Sequence, residues 1–597
     1  VYATRKYTGD FIVTRPKFPA SDIDSFVDSP TSYGEDTGLG GEVRGNYATM
    51  NPLTNQDYGY GSWTLTQGNL HAAATNGSDN RIGATMGASS GKWYWEVEEL
   101  SSNASAGLGI NKEPNDYHDA WTTGDYVIYQ NSGDKHINGT GSSYGNSYTA
   151  GDVIGVQWDA DNGAIYFWKN GTLQNSGTAA KTGMSGIYTP CLASTSSGTS
   201  NEFSINFGQR PFKYTNAGTN RPAATYKCLC TQNLDDTFSG AALNNPSKYF
   251  SVTTWVGDGS SPRTIKQAGD FTPDLVWLKH RTNGGRSHYL YDAVRTFASQ
   301  KELVPDSTVE EGSSNHQTQN HGYVSGVGAG TFTLGAGATN QDYTNKDTDP
   351  YVAWAWDIGT EANSGDSFNQ GSPSITIGAG NQWVNTTAGF SITKYTGTGS
   401  AATISHGLAA KPEFVLIKNI ETSSEWAVYH KSLGIGKVFL LTDDAADTDA
   451  DYFPSEPTDT LFSLGTKAHI SQTDDYMMYA WTSIPGYSAT GKYTGNGVAD
   501  GPMVHLGFNP KFILFKNDGA GTNWIIYDTE RADIPGSNPN DQQLHPDGQW
   551  EEGSGKKVDF VSNGMKIVDS NAGINGAGGV YYYFAIAEHP FKTTRAR

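Results

Sequence analysis

A motif carried three times constrains this chain more than any other feature: a Pro, a strand of bulky apolar residues ending in Lys, a loop, then an aromatic strand ending in Tyr. It reads Pro273-Asp-Leu-Val-Trp-Leu-Lys279, Pro412-Glu-Phe-Val-Leu-Ile-Lys418 and Pro510-Lys-Phe-Ile-Leu-Phe-Lys516. Pro to Lys is six residues in every copy, and Lys to Tyr (Tyr291, Tyr429, Tyr527) is twelve, eleven and eleven. Each copy opens on an aromatic and a glycine turn, Trp255-Val-Gly-Asp-Gly259, Tyr395-Thr-Gly-Thr-Gly399 and Tyr493-Thr-Gly-Asn-Gly497. Each closes on an aromatic strand, Tyr351-Val-Ala-Trp-Ala-Trp356, Tyr476-Met-Met-Tyr-Ala-Trp481 and Tyr581-Tyr-Tyr-Phe-Ala-Ile586. The motif starts lie 139 and 98 residues apart, so the repeating unit is a whole domain and not a short solenoid turn.

At 597 residues the chain is too long for one core and suggests about four domains. Its 72 Gly, 33 Tyr and 15 Trp, with long Ser/Thr/Asn runs, favour pleated strands and their turns over helices. The fold class expected is all-β, a multidomain string of β-sandwiches. A net charge of −21 opposes contact with phosphate backbones or anionic lipid, so nucleic acid is not expected as a partner. No run of about 18 apolar residues exists, so membrane insertion is not expected either. Three cysteines form no disulfide framework; Cys228 and Cys230, two apart, share a strand face without bridging geometry. The sequence starts at Val1 with no signal-like apolar segment, and any leader is expected to be already gone or never present.

Along the chain, residues 1–58 lack periodicity and read as an arm or attachment segment; the alternative is a disordered tail. Arg5, Lys6, Arg15 and Lys17, basic in an acidic chain, favour a docking arm. Residues 59–215 turn to strand and hairpin. Gly91-Lys-Trp-Tyr-Trp-Glu-Val97 alternates, with Trp93, Trp95 and Val97 on one face and Tyr94 and Glu96 on the other. Then come Gly151-Asp-Val-Ile-Gly-Val156, the hairpin Trp158 to Trp168 turning at Asp161-Asn162-Gly163, a second turn at Asn170-Gly171, and Asn206-Phe-Gly-Gln-Arg-Pro-Phe212. In this order the elements resemble a SPRY domain, a β-sandwich recognition module. The resemblance implies binding through loops at one end of the sandwich, without catalysis. Tyr117, His118, Trp121, Tyr126 and Tyr129, in a region rich in Tyr, Asn, Ser and Gly, are the candidate contact residues. For Tyr126 and its neighbours the competing reading is ordinary strand packing. Residues 216–235 read as a linker, 236–362 as repeat 1, 363–385 as a second linker, 386–486 as repeat 2 and 487–597 as repeat 3.

Catalytic and metal chemistry is sparse. Among 61 acidic residues no carboxylate pair separates from surface charge, and no phosphate-cradling glycine loop occurs, so no enzyme and no cofactor are expected. Asp447, Asp449 and Asp451 are a weak calcium candidate, because Tyr452 stands where an EF-hand needs Gly and Thr458 where it needs Glu; the better reading is a solvated acidic loop and no metal. The repeated Lys279, Lys418 and Lys516 read as strand-end residues whose stems lie on the apolar layer and whose ammonium groups reach the sheet edge and discourage aggregation. Trp255, where the later copies have Tyr395 and Tyr493, puts the equivalence of the first copy's opening aromatic in question.

The repeats over 236–597, together with Phe26-Val-Asp-Ser-Pro30 and Gly40-Gly-Glu-Val-Arg-Gly-Asn46, resemble virion proteins of marine tailed phages, including cyanophages, in which such repeats accompany SPRY domains. That resemblance implies a virion structural protein exposed on the tail or capsid surface, most readily a tail fibre that adheres to the host. Its expected partners are a host surface glycan or protein receptor, and other virion proteins through the N-terminal arm. A homo-oligomer is expected, a trimer by analogy with fibres, although no heptad run specifies it. A head-fibre or capsid-decoration protein with the repeats as spacers, and a secreted glycan-degrading enzyme, are the alternatives.

Overall fold

The computed structural model describes residues 47–590 except 56–61, 75–78, 102–104, 114–124, 196–200, 215–224, 231–232, 234–242, 244, 270, 314–317, 362–371, 520 and 533–536. The chain is all-β, a string of sandwich units, and three of those units meet in space on one shared core. The first unit packs a seven-stranded sheet on a six-stranded one. Its central strand Lys92–Ser101 lies between Glu202–Asn206 and Val153–Asp159. Trp93, Trp95 and Val97 enter the sandwich core, as the alternation predicts, while Tyr94 joins a cluster on the outer face. The hairpin turn needs Gly163: its φ is +59°, and a Cβ there would lie 2.2 Å from the Met184 carbonyl oxygen.

Both flanks of this unit reach beyond the expected borders. Ala48 and Met50, from the segment read as an arm, are buried in its core. Tyr226, Cys228 and Cys230, from the stretch read as a linker, pack on Tyr94, Trp168 and Phe212, and Tyr94 N–H donates to the Lys227 carbonyl. The cysteines are free thiols.

Each repeat has one large sheet and one small one. In repeat 1 the large sheet runs Phe250–Val256, Pro350–Trp356, Leu275–His280, His288–Asp292. Repeat 3 keeps the order with Ser488–Thr494, Val580–Pro590, Phe508–Asn517 and Ile525–Asp528, and repeat 2 with Phe390–Thr396, Asp475–Trp481, Phe414–Asn419 and Ala427–His430. The motif's two strands are neighbours in every copy, with Val276 opposite Tyr291, Val415 opposite Tyr429 and Ile513 opposite Tyr527. Part of the expected second linker belongs to repeat 2: Gln382–Asn385 lies between Phe390–Thr396 and the short edge strand Thr360–Glu361, and Ile375 is buried in that repeat's core.

The motif strands are apolar at every position because both faces are covered. Val276 and Leu278 point into repeat 1's own sandwich, Val415 and Ile417 into that of repeat 2, and Ile513 and Phe515 into that of repeat 3. The alternate residues Leu275 and Trp277, Phe414 and Leu416, and Phe512 and Leu514 enter one further core common to all three repeats. The closing strands do the same with Trp354, Tyr479 and Phe584. Each large side chain so buried contributes on the order of 1.5–3 kcal/mol, and the common core holds the ring of repeats together.

The Lys of the motif shares the strand face of those common-core residues, two positions further on. Lys279, Lys418 and Lys516 are fully buried, which corrects the expectation of ammonium groups at an exposed sheet edge. Lys418 Nζ donates to the Thr308 carbonyl of repeat 1 (2.8 Å), Lys516 Nζ to the Thr442 carbonyl of repeat 2 (3.1 Å), and Lys279 Nζ to the His280 carbonyl (2.8 Å). Burial pulls all three down to about 8. Trp255 keeps the role of its counterparts: it stacks on Tyr351 at 14° as Tyr395 does on Tyr476 at 16° and Tyr493 on Tyr581 at 14°. Its Nε1–H donates to a carbonyl, Thr344, just as the two Tyr hydroxyls donate to Ile470 and Ile574.

Three polar seams set the cyclic order. Tyr479 OH of repeat 2 donates to Asp292 Oδ2 of repeat 1 (2.7 Å), and Trp354 Nε1 of repeat 1 donates to Asp528 Oδ2 of repeat 3 (3.0 Å). At the third seam Phe584 stands where the donor would be and stacks on Phe414, and His430 Nε2, in the aspartate's place, donates to the Tyr583 carbonyl (3.1 Å). Backbone bonds repeat round the ring too: Ser424 N–H to the Thr308 carbonyl, Thr522 N–H to Asp443, and Gly285 N–H to Gln549.

Candidate functional site

Of the candidate contact residues, Tyr117, His118 and Trp121 lie outside the described residues. Tyr126 and Tyr129 do not form a contact surface. Both are fully buried in the strand Tyr126–Gln130. Arg81 lies over the Tyr126 ring at 4.5 Å, and Tyr129 stacks on Phe167 and donates its hydroxyl hydrogen to the Asn146 carbonyl. The alternation of strand residues, which puts every side chain of a doubly covered strand inside, explains both. Arg5, Lys6, Arg15 and Lys17 also lie outside the described residues.

Asp125, the first described residue after Trp121, gathers Lys181 Nζ (2.9 Å), Lys112 Nζ (3.5 Å) and the Tyr188 hydroxyl (3.1 Å). Burial pushes this carboxyl up, but the bonds from Lys181 and Tyr188 and the two ammonium charges outweigh it and hold it below the usual range. Asp125 is thereby tied to both sheets. On the outer face of the seven-stranded sheet is a cleft of about 350 Å³ lined by His71, Glu96, Glu98, Leu100, Arg210 and Lys213, among others. Glu96 is part of its wall: its carboxylate accepts Lys213 N–H (2.7 Å) and Tyr214 N–H (3.1 Å), and burial raises its pKa.

Asp449, in the middle of the Asp447, Asp449 and Asp451 group, pairs with a cation the chain itself supplies. Lys467 Nζ lies 2.5 Å from Asp449 Oδ2, and the charges of all three aspartates act on it. Asp449 Oδ1 also accepts Asp451 N–H at 2.9 Å. Among the described residues no group of three or more His, Cys, Asp or Glu side chains is placed to hold a metal ion, and no helix is long and apolar enough to cross a membrane.

The sandwich is fixed to repeat 3, its most distant neighbour in sequence. Lys566 Nζ donates to the Leu53 carbonyl (2.9 Å), Asn563 Nδ2 to the Thr85 carbonyl (2.6 Å), and His505 Nε2 faces Glu113 at 4.0 Å. Strand pairing places Thr333 and Ser463 of the other repeats where Lys566 stands, so only repeat 3 carries this long donor.

A domain of unknown function, DUF7483, matches residues 245–590, which is more than half of the chain and takes in all three repeats as a single unit. The chain belongs to this family. A SPRY domain matches residues 92–210. The chain is 29% identical over 131 residues to the Ran-binding proteins 9/10 homolog of Drosophila melanogaster, a match covering 21% of this chain and 13% of that protein. Among solved structures, the SPRY domain of human HERC1 is 21% identical, covers 26% of this chain and 96% of its own, and has a TM-score of 0.22. A human SPRY domain is 18% identical, with 24% and 94% coverage and a TM-score of 0.19. This DUF7483 chain thus joins a SPRY sandwich to a threefold ring.

Several residues that build the ring escaped the sequence reading. Asp292, His430 and Asp528 each directly follow the motif's Tyr, and Arg295 and Arg531 lie three positions on, each paired to its aspartate. A second internal repeat was also readable: Pro305-Asp-Ser-Thr-Val-Glu-Glu-Gly312 recurs as Pro546-Asp-Gly-Gln-Trp-Glu-Glu-Gly553. Asp306 and Asp547 are half-buried, each with one carboxylate oxygen out of solvent, and this burial raises both, Asp547 to about 7. Each stands near a motif lysine, Lys279 and Lys516 respectively.

Proposed function

We propose that this chain is a phage virion structural protein, most readily a tail fibre, that adheres to the host surface without enzymatic activity or cofactor. The observation that carries this reading is the docking of a recognition sandwich on a closed ring of repeats through Lys566 and Asn563. A docked module keeps its loops in one orientation, which lowers the entropy cost of engaging a large surface. The marine-phage resemblance of the repeats and the acidic, modular composition support the same reading. In it the ring is scaffold, the receptor is a host surface glycan or protein, and the basic N-terminal segment joins the chain to other virion proteins. Because the apolar faces of the three repeats satisfy one another, a homotrimer of whole chains would form through surfaces outside the common core.

Burial of the shared motif also favours a second reading, a head-fibre or capsid-decoration protein with the ring as spacer. Antibody labelling of intact virions decides between tail and capsid. Fluorescently labelled full-length chain should bind host cells saturably. Absence of binding, with the protein folded, counts against adhesion.

A further inference from the structure

We propose that Trp550 is a stacking platform for the C–H face of a pyranose ring in a surface polysaccharide; this deepens the host-attachment reading and rests on it. Trp550 is the most exposed tryptophan among the described residues, at 52%, whereas Trp426 and Trp524 of the motif are buried. Its presentation is built. The six-membered part of the indole lies against Gly548, where a Cβ would come within 1.9 Å of the ring. His545 meets the ring edge-on at 5.7 Å and is itself held by the Trp524 carbonyl (2.8 Å).

The copy of this loop in repeat 1 shows what changed. Ser307 and Val309 stand where repeat 3 has Gly548 and Trp550, and Val309 packs against repeat 1's own core. A serine beneath the indole would collide with it, so the two differences act together: one clears the floor and the other lays an aromatic on it. The loop is pinned at both sides of the ring, by Gly285 N–H to the Gln549 carbonyl (2.9 Å) and by Arg281 Nη2 to Glu552 Oε2 (2.6 Å). A rigid aromatic face costs little ordering on binding. Its exposed neighbours are the polar Gln549 and Glu551, and no other large exposed apolar residue lies in this loop. A protein-binding anchor sits at the centre of an apolar patch. A lone flat ring beside an amide and a carboxylate instead suits a sugar, apolar on its C–H face and hydroxylated at its edge.

The test uses full-length protein on immobilised envelope polysaccharide from marine cyanobacteria, alongside binding to the same cells after periodate or after protease. The wild type should bind the polysaccharide, and binding to cells should fall after periodate. Trp550→Ala should weaken polysaccharide binding at least about tenfold, Trp550→Phe much less, and Gly548→Ser by an intermediate factor, with unchanged unfolding midpoints. Equal binding by W550A overturns the proposal. So does cell binding that resists periodate and is lost after protease, an outcome that leaves host attachment standing. Failure of the wild type to bind cells at all overturns both.

Discussion

Two seams of the ring accept a hydrogen on an aspartate, and the third donates one from a histidine. At the first two, Asp292 and Asp528 receive Tyr479 and Trp354 and are held by the buried Arg295 and Arg531. At the third, Phe584 has no hydrogen to offer, His430 replaces the aspartate, and Leu433 stands in the arginine's place within the common core. The difference teaches that the repeats are not interchangeable: donor and acceptor have been exchanged as a set. A repeat placed at the wrong seam would bury an aspartate with no donor, or a tyrosine with no acceptor. Such orphaned groups cost about 1–3 kcal/mol each, so the polar seams choose the order while the apolar core supplies the attraction.

The largest effect should come from breaking an aspartate seam. Asp528→Ala leaves the fully buried Arg531 without its nearest partner and Trp354 without an acceptor, and should cost about 3–5 kcal/mol in urea unfolding. The double variant that copies the third seam, D528H with R531L, should recover part of that loss. Next is Lys418→Met, which removes the donor shared by the Thr308 and Ser424 carbonyls across the seam of repeats 1 and 2; about 1–3 kcal/mol is expected, chiefly from the Ser424 carbonyl left unpaired, since Thr308 keeps the Ser424 N–H.

The histidine seam should differ in its response to acid. Burial holds His430 down to about 4, so its contribution is present above the unfolded pKa of about 6.5 and is lost as pH falls towards 4. The stability difference between wild type and His430→Gln should therefore shrink between pH 6.5 and 4. A difference that stays flat across that window would mean the imidazole is not buried as described. Asp547 works in the opposite sense: burial raises it to about 7, so its contribution is present below about 4 and is lost as pH rises through 7, and Asp547→Asn should remove that slope. The smallest effect on stability, under about 1 kcal/mol, is expected for Lys566→Ala, which removes one of the bonds docking the SPRY sandwich on repeat 3; combined with Asn563→Ala it should appear in solution scattering as a wider distribution of distances.

Much of this architecture is legible in the sequence. The triple motif gives the pairing of its two strands, the alternation at Trp93, Trp95 and Val97 gives the sandwich core, and turn residues mark the hairpins. What was missed lies in one inference. A strand such as Phe-Val-Leu-Ile, apolar at every position, needs cover on both faces, and in an antiparallel sheet the second cover had to be another repeat. Without that step Lys418 reads as an edge residue, although it shares a face with Phe414 and Leu416 and caps the common core. For Tyr126 and Tyr129 the strand-packing reading holds and the contact-surface reading does not, because loop-like composition around them hides a doubly buried strand. The docking of the sandwich on repeat 3 could not be read at all, because Leu53 and Lys566 are 513 residues apart and carry no shared pattern.

The claim that three repeats make one unit is tested most directly by hydrogen exchange across a urea series, following the strands Leu275–His280, Phe414–Asn419 and Phe508–Asn517 in wild type and D528A. One ring predicts that all three lose protection together and that the single substitution in repeat 3 shifts all three midpoints alike. Loss confined to Phe508–Asn517, with the other two strands unmoved, would contradict it.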